Sequence, residues 1–242
     1  MTMRNRVRRL YEVASEVNDE TIIDQALATS GSLLDLGCGD GTFTMRFAER
    51  ARPDKIIGVE TEPVLAASAR ARGIEVHAAD LGEGLPFENG SIGAVVSNQV
   101  IEHLPDTDIF LREIRRVLTP NGYAVISTNN LASWHNIFSL VAGWQPMPSH
   151  VSDEVVVGNP LNVDDHAPGW SYPLHRRIFT NRALRELAAH HGLRTEVDIT
   201  AGFYPFGRRG TRVATRLDRR HGAFLVQRYR LGTVTGAKLT DG

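Results

Sequence analysis

A chain of 242 residues with 42% hydrophobic and 23% charged residues can bury a sizeable core, which excludes disordered, collagen-like and mini-protein classes. Its 27 basic and 28 acidic residues leave a net charge of -1, so nothing draws the whole molecule to nucleic acid or anionic membrane. Any polyanion contact must be local. Cys38 is the only cysteine, which excludes an intrachain disulfide and a cysteine-rich zinc site and fits a reducing compartment.

In chain order, the basic segment 1–10 has no apolar run behind it, and no stretch of about 18 apolar residues occurs, so a cytoplasmic protein without membrane insertion is expected. A polar helical lead covers 5–28. Short apolar runs then alternate with amphipathic stretches, the pattern of a parallel α/β sheet. Strands are predicted at 32–36, 55–60, 75–79, 94–98 and 122–128, and helices at 42–50, 63–72 and 107–118, the last closed by Thr119-Pro120-Asn121-Gly122. A short helical stretch runs to Ala142. From 143 to 177, five prolines forbid long regular structure, and Trp144, Trp170 and Tyr172 make this a cap over a site rather than a disordered linker. A helix at 181–191 and strands at 194–199 and 223–230 complete one domain over 1–242: a helical lead (1–30), a core (31–130), a cap (131–178) and the C-terminal part of the sheet (179–242).

The most informative run is Leu33-Leu34-Asp35-Leu36-Gly37-Cys38-Gly39-Asp40-Gly41-Thr42-Phe43, a strand entering three alternate glycines and then a helix. Glycine permits a tight turn and close approach of a ligand to the backbone. The spacing is neither the dinucleotide fingerprint nor a P-loop, since no Lys-Ser or Lys-Thr follows. Glu60 ends the second strand, where a carboxylate can accept both ribose hydroxyl protons, and Asp80 ends the third, where it can bond an adenine amino group.

These residues resemble the class I S-adenosylmethionine-dependent methyltransferases, together with Gly58-Val59-Glu60, Ala79-Asp80-Leu81, Leu85-Pro86-Phe87, the run from Val95 to Leu104 and that from Leu111 to Gly122. The resemblance covers roughly residues 30 to 130. It implies a Rossmann-like, seven-stranded, mostly parallel α/β sheet with one reversed C-terminal strand, flanking helices and an inserted cap. It also implies S-adenosylmethionine over the ends of the first strands, with Asp35, Gly37, Cys38, Gly39, Glu60, Asp80, Leu81 and Asn98 around it. One departure stands at Ile92-Gly93, where the family usually has Phe-Asp and the acid caps a turn.

After the fourth strand, Gln99-Val100-Ile101-Glu102-His103 is expected to open a helix whose i, i+3, i+4 spacing sets Gln99, Glu102 and His103 on one face. The run resembles the Glu-x-x-Glu-His cation site of some quinone and small-RNA O-methyltransferases, in which a distal histidine can complete the shell around Mg²⁺. Here Gln99 replaces the first glutamate, and an amide oxygen binds a hard cation without bringing charge. Two roles stay open for Glu102 and His103: catalytic base or metal ligand, and helix cap or pocket lining. The strand end Ser97-Asn98-Gln99-Val100 lacks the Asn-Pro-Pro-aromatic or Asp-Pro-Pro-aromatic segment of enzymes that methylate base amines, and the lone Cys38 excludes a separate cysteine nucleophile, so oxygen is the favoured acceptor.

Trp134, His135, Trp170 and Tyr172 are the substrate candidates, in a cap that also holds His150, Asp164, Asp165, His166, His175 and Arg176. Packing of the irregular segment is the plainer role for at least one tryptophan. The arginine-rich run from Arg208 to Arg216, next to Phe203 and Tyr204, reads as an exposed helix in preference to an RNA clamp. Trp134-His135-Asn136 through Gly143-Trp144-Gln145-Pro146, then Gly158-Asn159-Pro160-Leu161 and Tyr204-Pro205, resemble bacterial methyltransferases of polysaccharide and glycolipid assembly. The expectation is therefore O-methylation of a sugar or oligosaccharide precursor hydroxyl, with a homodimer left open. The alternatives are a small phenol or quinone acceptor, and a cofactor-binding regulatory module without turnover.

Overall fold

The computed structural model describes residues 3–152, 154–161 and 175–232. Seven strands form one sheet: β1 (Ser32–Leu36), β2 (Lys55–Val59), β3 (Glu75–His77), β4 (Ile92–Asn98), β5 (Leu118–Asn129), β6 (Leu193–Ala201) and β7 (Phe224–Leu231). Their order is β3-β2-β1-β4-β5-β7-β6, with β7 running against the other six. This is the expected mixed α/β sheet with one reversed strand near the C-terminus.

Among the described residues, seven α-helices accompany the sheet: α1 (Met3–Ile23), α2 (Thr42–Ala51), α3 (Pro63–Ala71), α4 (Thr107–Val117), α5 (Trp134–Val141), α6 (Asn181–His190) and α7 (Arg208–Leu217). Successive residues of a strand face opposite ways, so Leu33 packs with Ile22, Phe47 and Ala51 on one face while Leu34 packs with Ile114 and Leu184 on the other. On α4 the buried residues Thr107, Phe110, Leu111, Ile114 and Val117 recur at helical spacing, and the Asp106 carboxylate caps the helix by accepting from Ile109 N at 2.8 Å. No described helix is long and apolar enough to cross a membrane.

Some expected boundaries move for visible reasons. The lead helix stops at Ile23 rather than 28, because the Tyr123 hydroxyl takes both backbone groups of Leu27, donating to its oxygen at 2.7 Å and accepting from its nitrogen at 3.0 Å. The turn expected at Thr119 to Gly122 lies inside β5 as a bulge, where the β4 register shifts between Ile92 and Ala94. The third strand ends at His77 rather than 79. In the expected cap, the described residues 143–152, 154–161 and 175–177 contain no helix or strand.

Candidate active site

The turn after β1 is built by backbone hydrogen bonds, Gly37 N and Cys38 N both donating to Val59 O at 2.9 and 3.1 Å. Gly37 has φ +82°, and a Cβ there would lie 2.5 Å from a Val100 methyl, so the loop presses directly on the chain leaving β4. Gly39, at φ +54°, faces open space, with nothing within 4 Å of an added Cβ. Glu60 spans the two strand ends: Oε2 accepts from Gly39 N at 3.0 Å and Oε1 from Glu62 N at 2.8 Å. Asp35 is buried beneath the loop, where Oδ2 accepts from Thr44 Oγ1 at 2.6 Å and Oδ1 has no hydrogen-bond partner. Burial, with Glu60 nearby, raises its pKa to about 7. Burial pushes the Cys38 thiol to about 12, so it stays protonated and unreactive.

Asp80 is exposed and closes its own turn, accepting from Gly82 N at 2.7 Å, with Leu81 half-buried beside it. Asn98 ties the end of β4 to α1: its oxygen accepts from Asn18 Nδ2 at 3.1 Å and its Nδ2 donates to Asp19 Oδ1 at 2.9 Å. Asn18 in turn accepts from Ser127 Oγ at 3.0 Å. This contribution of α1 carries no local signal in the sequence, because Asn18 and Asp19 stand some eighty positions from Asn98.

The helix expected at Gln99 is a single 3₁₀ turn, Ile101–His103, and Gln99 itself has φ +58°. Gln99, Glu102 and His103 therefore do not share a helical face. In the orientation that satisfies its amide, Gln99 donates to Glu102 Oε1 at 3.1 Å and accepts from Thr128 N at 3.3 Å. Glu102 is fully buried and also accepts from Thr128 Oγ1 at 2.8 Å and Asn129 Nδ2 at 3.1 Å. All these donors are neutral, and burial raises its pKa to about 7.

A residue from the cap completes the cluster. Arg176 N and Arg177 N both donate to Glu102 O, at 2.7 and 3.1 Å, which brings the returning chain against the turn. The His175 ring then lies tilted 4.8 Å from that of His103 and stacked 5.1 Å from that of His150, and donor atoms of Glu102, His103 and His175 lie within 4.8 Å of one another. His175 Nδ1 lies 3.1 Å from Pro148 O and its Nε2 3.5 Å from Asn129 Nδ2. A carbonyl on one side and an amide donor on the other assign the proton to Nδ1 and turn the Nε2 lone pair to the Asn129 amide. Burial, with the neighbouring imidazoles, lowers the His175 pKa to about 4, so the ring is neutral at pH 7. A cleft of about 440 Å³ opens beside it, between Pro105, His150, Ser152 and Arg177.

Of the aromatic candidates, Trp134 is 53% exposed and pinned at the surface, its indole N–H donating to Asp218 Oδ2 at 2.8 Å. His135 is half-buried, edge-on to Tyr204 at 4.9 Å, and burial lowers its pKa to about 4. Trp170 and Tyr172 lie outside the described residues, as do Asp164, Asp165 and His166.

The sequence profile of the family described as Methyltransferase domain matches residues 34–126, from β1 into β5. The trans-aconitate 2-methyltransferase of Methylobacterium radiotolerans is 33% identical over 182 residues, covering 68% of this chain and 69% of that protein. The chain belongs to the S-adenosylmethionine-dependent methyltransferases. A Mycolicibacterium smegmatis protein assigned by name to these methyltransferases is 30% identical over 197 residues, covering 81% of this chain and 62% of its own length. A Streptomyces fradiae protein is 32% identical over 131 residues, 52% of this chain and 38% of that protein. The chain thus spans less than two thirds of both of these relatives.

Among solved structures, the methyltransferase fold recurs in a Thermotoga maritima S-adenosylmethionine-dependent methyltransferase, with a TM-score of 0.61 at 20% identity over 93% of this chain and 94% of that one. It recurs as well in the [4+2]-cyclase SpnF, with a TM-score of 0.56 at 19% identity over 89% and 81%. One fold thus serves both a methyltransferase and a cyclase, so the fold alone does not set the chemistry. The methyltransferase cofactor fits the residues present: the open space at Gly39 admits a ligand to the backbone, and the orphaned Asp35 Oδ1 lies buried beneath the same loop.

Proposed function

We propose that this methyltransferase acts on oxygen, the acceptor being a hydroxyl of a sugar or oligosaccharide precursor. The observation that carries the reading is the convergence of Glu102, His103 and His175 behind the glycine loop. When bound, S-adenosylmethionine supplies an electrophilic methyl group on a sulfonium. Glu60 braces the loop against which it lies, and positioning supplies much of the rate. An aliphatic hydroxyl needs more than positioning, since its proton must be taken or its pKa lowered. In this reading His103, beside neutral His175, takes that proton.

The same cluster suits a divalent cation. A buried carboxylate among neutral donors is costly unless charge is supplied, and Glu102 stands beside two imidazoles, one of them oriented by Pro148 O. Two imidazoles and one carboxylate favour a transition ion such as Zn²⁺ or Mn²⁺ over the Mg²⁺ of the cation site that the run resembles. In this reading His175 replaces Gln99 as third ligand, because the Gln99 amide is turned to supporting Glu102.

The test is S-adenosylhomocysteine production against mono- and disaccharides, phenols and short RNA, with and without chelator, followed by add-back of Zn²⁺, Mn²⁺ or Mg²⁺. Sugar turnover lost in His103→Ala and His175→Ala supports the reading. Turnover confined to phenols or RNA would overturn the acceptor, and sugar turnover indifferent to chelator would leave the histidines as bases without a metal.

A further inference from the structure

Away from the cluster, two exposed apolar stripes meet at one edge of the molecule. On α5, Trp134, Phe138 and Val141 recur at i, i+4 and i+7 and are 53%, 59% and 84% exposed. On α7, Val213 and Leu217 are 55% and 83% exposed, with Phe206 at 50% just ahead of the helix. The stripes join where the Trp134 indole donates to Asp218 at the end of α7 and Trp134 N donates to His221 O at 3.1 Å. Apolar surface gathered in this way marks a contact face rather than scattered exposure.

The charges on the two sides of α7 differ. Arg208 and Arg212 turn inward and pair with Glu20 of α1. Arg209, Arg216, Arg219 and Arg220 are exposed, and among the described residues none has a carboxylate within 4.0 Å. Asp218 is spent internally, accepting from Trp134, from His221 and from the Arg220 amide. The outward face is thus apolar and cationic together. It lies at the end of the sheet that carries the active site, since Asn129 at the end of β5 pairs with Phe224 at the start of β7.

We propose that the α5–α7 face docks this methyltransferase onto an anionic phospholipid bilayer, with the apolar stripes at the acyl boundary and the four arginines on lipid phosphates. A second copy of the chain is a poorer occupant, because a two-fold contact would set this arginine cluster against itself. Nucleic acid would leave the aliphatic Val141, Val213 and Leu217 without a partner. Docking turns the site's rim toward the lipid head groups. With the hydroxyl reading above, on which this consequence rests, the acceptor is a hydroxyl on a lipid-borne head group.

Cosedimentation of the full chain with vesicles tests the docking independently of turnover. Partition onto mixed phosphatidylcholine–phosphatidylglycerol vesicles should exceed that onto phosphatidylcholine alone by roughly tenfold, and should fall with salt. The paired changes Arg216→Glu with Arg220→Glu, and Phe138→Ser with Val141→Ser, should each abolish the difference while thermal midpoint and S-adenosylhomocysteine binding stay as in the parent. Equal partition onto the two vesicle types, or variants that bind like the parent, would overturn the proposal. So would a concentration-dependent dimer, or RNA binding, that the same variants remove while the vesicles go unbound. If vesicle binding holds while no hydroxyl acceptor turns over, the surface stands and only the acceptor assignment fails.

Discussion

Asp35 and His135 put opposite slopes on stability as pH changes. Burial raises the folded-state pKa of Asp35 to about 7, against about 3.9 when unfolded, so between these values the native state holds more protons and stability falls as pH rises. Asp35→Asn keeps an oxygen for Thr44 and removes that loss. Its unfolding free energy should gain on the parent by a few kcal/mol between about pH 4 and 7, read by urea titration at several pH values. His135 acts in reverse. Its pKa is lowered to about 4, so its contribution is present above about 6.5 and is lost as pH falls toward 4. A second residue-scale prediction concerns Gly93, which stands where the family usually has Asp. An added Cβ would meet Thr29 Oγ1 at 2.4 Å and Ser30 O at 2.6 Å, so Gly93→Asp should cost about 1–3 kcal/mol in thermal or urea unfolding. The glycine is needed because the 29–30 segment packs onto β4, which explains the departure that the sequence could only register.

Among elements, α4 carries a clamp that no local pattern announced. Arg116 donates to Leu85 O at 2.9 Å, Phe87 O at 2.7 Å and Asn89 Oδ1 at 2.8 Å, and is held by Glu113, which also accepts from Leu85 N at 2.7 Å. It fastens the loop that feeds the start of β4. Arg116→Ala should cost about 1–2 kcal/mol and loosen 85–89, seen as faster hydrogen exchange there. Strands and glycine turn were legible because each is local: alternation of apolar runs marks the sheet, and the Gly-x-Gly-x-Gly spacing marks the turn. The 3₁₀ turn at Ile101–His103 was not, since the left-handed Gln99 is imposed by contacts to β5 rather than by its own propensity. His175 was visible only as one polar residue of the cap. Its meeting with His103 depends on two backbone bonds to Glu102 O, made across more than seventy residues. A histidine preceded by prolines at 168 and 173 was the available signal, and it named no partner.

At the scale of the whole molecule, the cofactor loop is held by contacts from β2, α3 and β4, so a ligand seated there should stabilise the fold as a unit. S-adenosylhomocysteine at one hundred times its Kd should add about 2.7 kcal/mol, or roughly 5–10 °C in Tm for a domain of this size. Glu60→Ala, which removes the carboxylate that accepts from Gly39 N and Glu62 N, should reduce that shift in differential scanning fluorimetry. A Glu60→Ala protein with the full shift would mean that the carboxylate is no part of the cofactor seat.

The place of β7 governs how such a chain can be made. The strand is synthesised last of the seven yet sits between β5 and β6, paired with β5 from Tyr123 to Asn129 and with β6 from Leu193 to Ala201. Until residue 231 has left the ribosome, β5 and β6 each present an open edge flanked by apolar side chains, a template for pairing with another nascent chain. Productive folding therefore waits on the arrival of eight residues that contribute little to the chemistry. A polypeptide halted after α7 would hold the whole glycine turn and the Glu102 cluster in its sequence and still be driven toward aggregation.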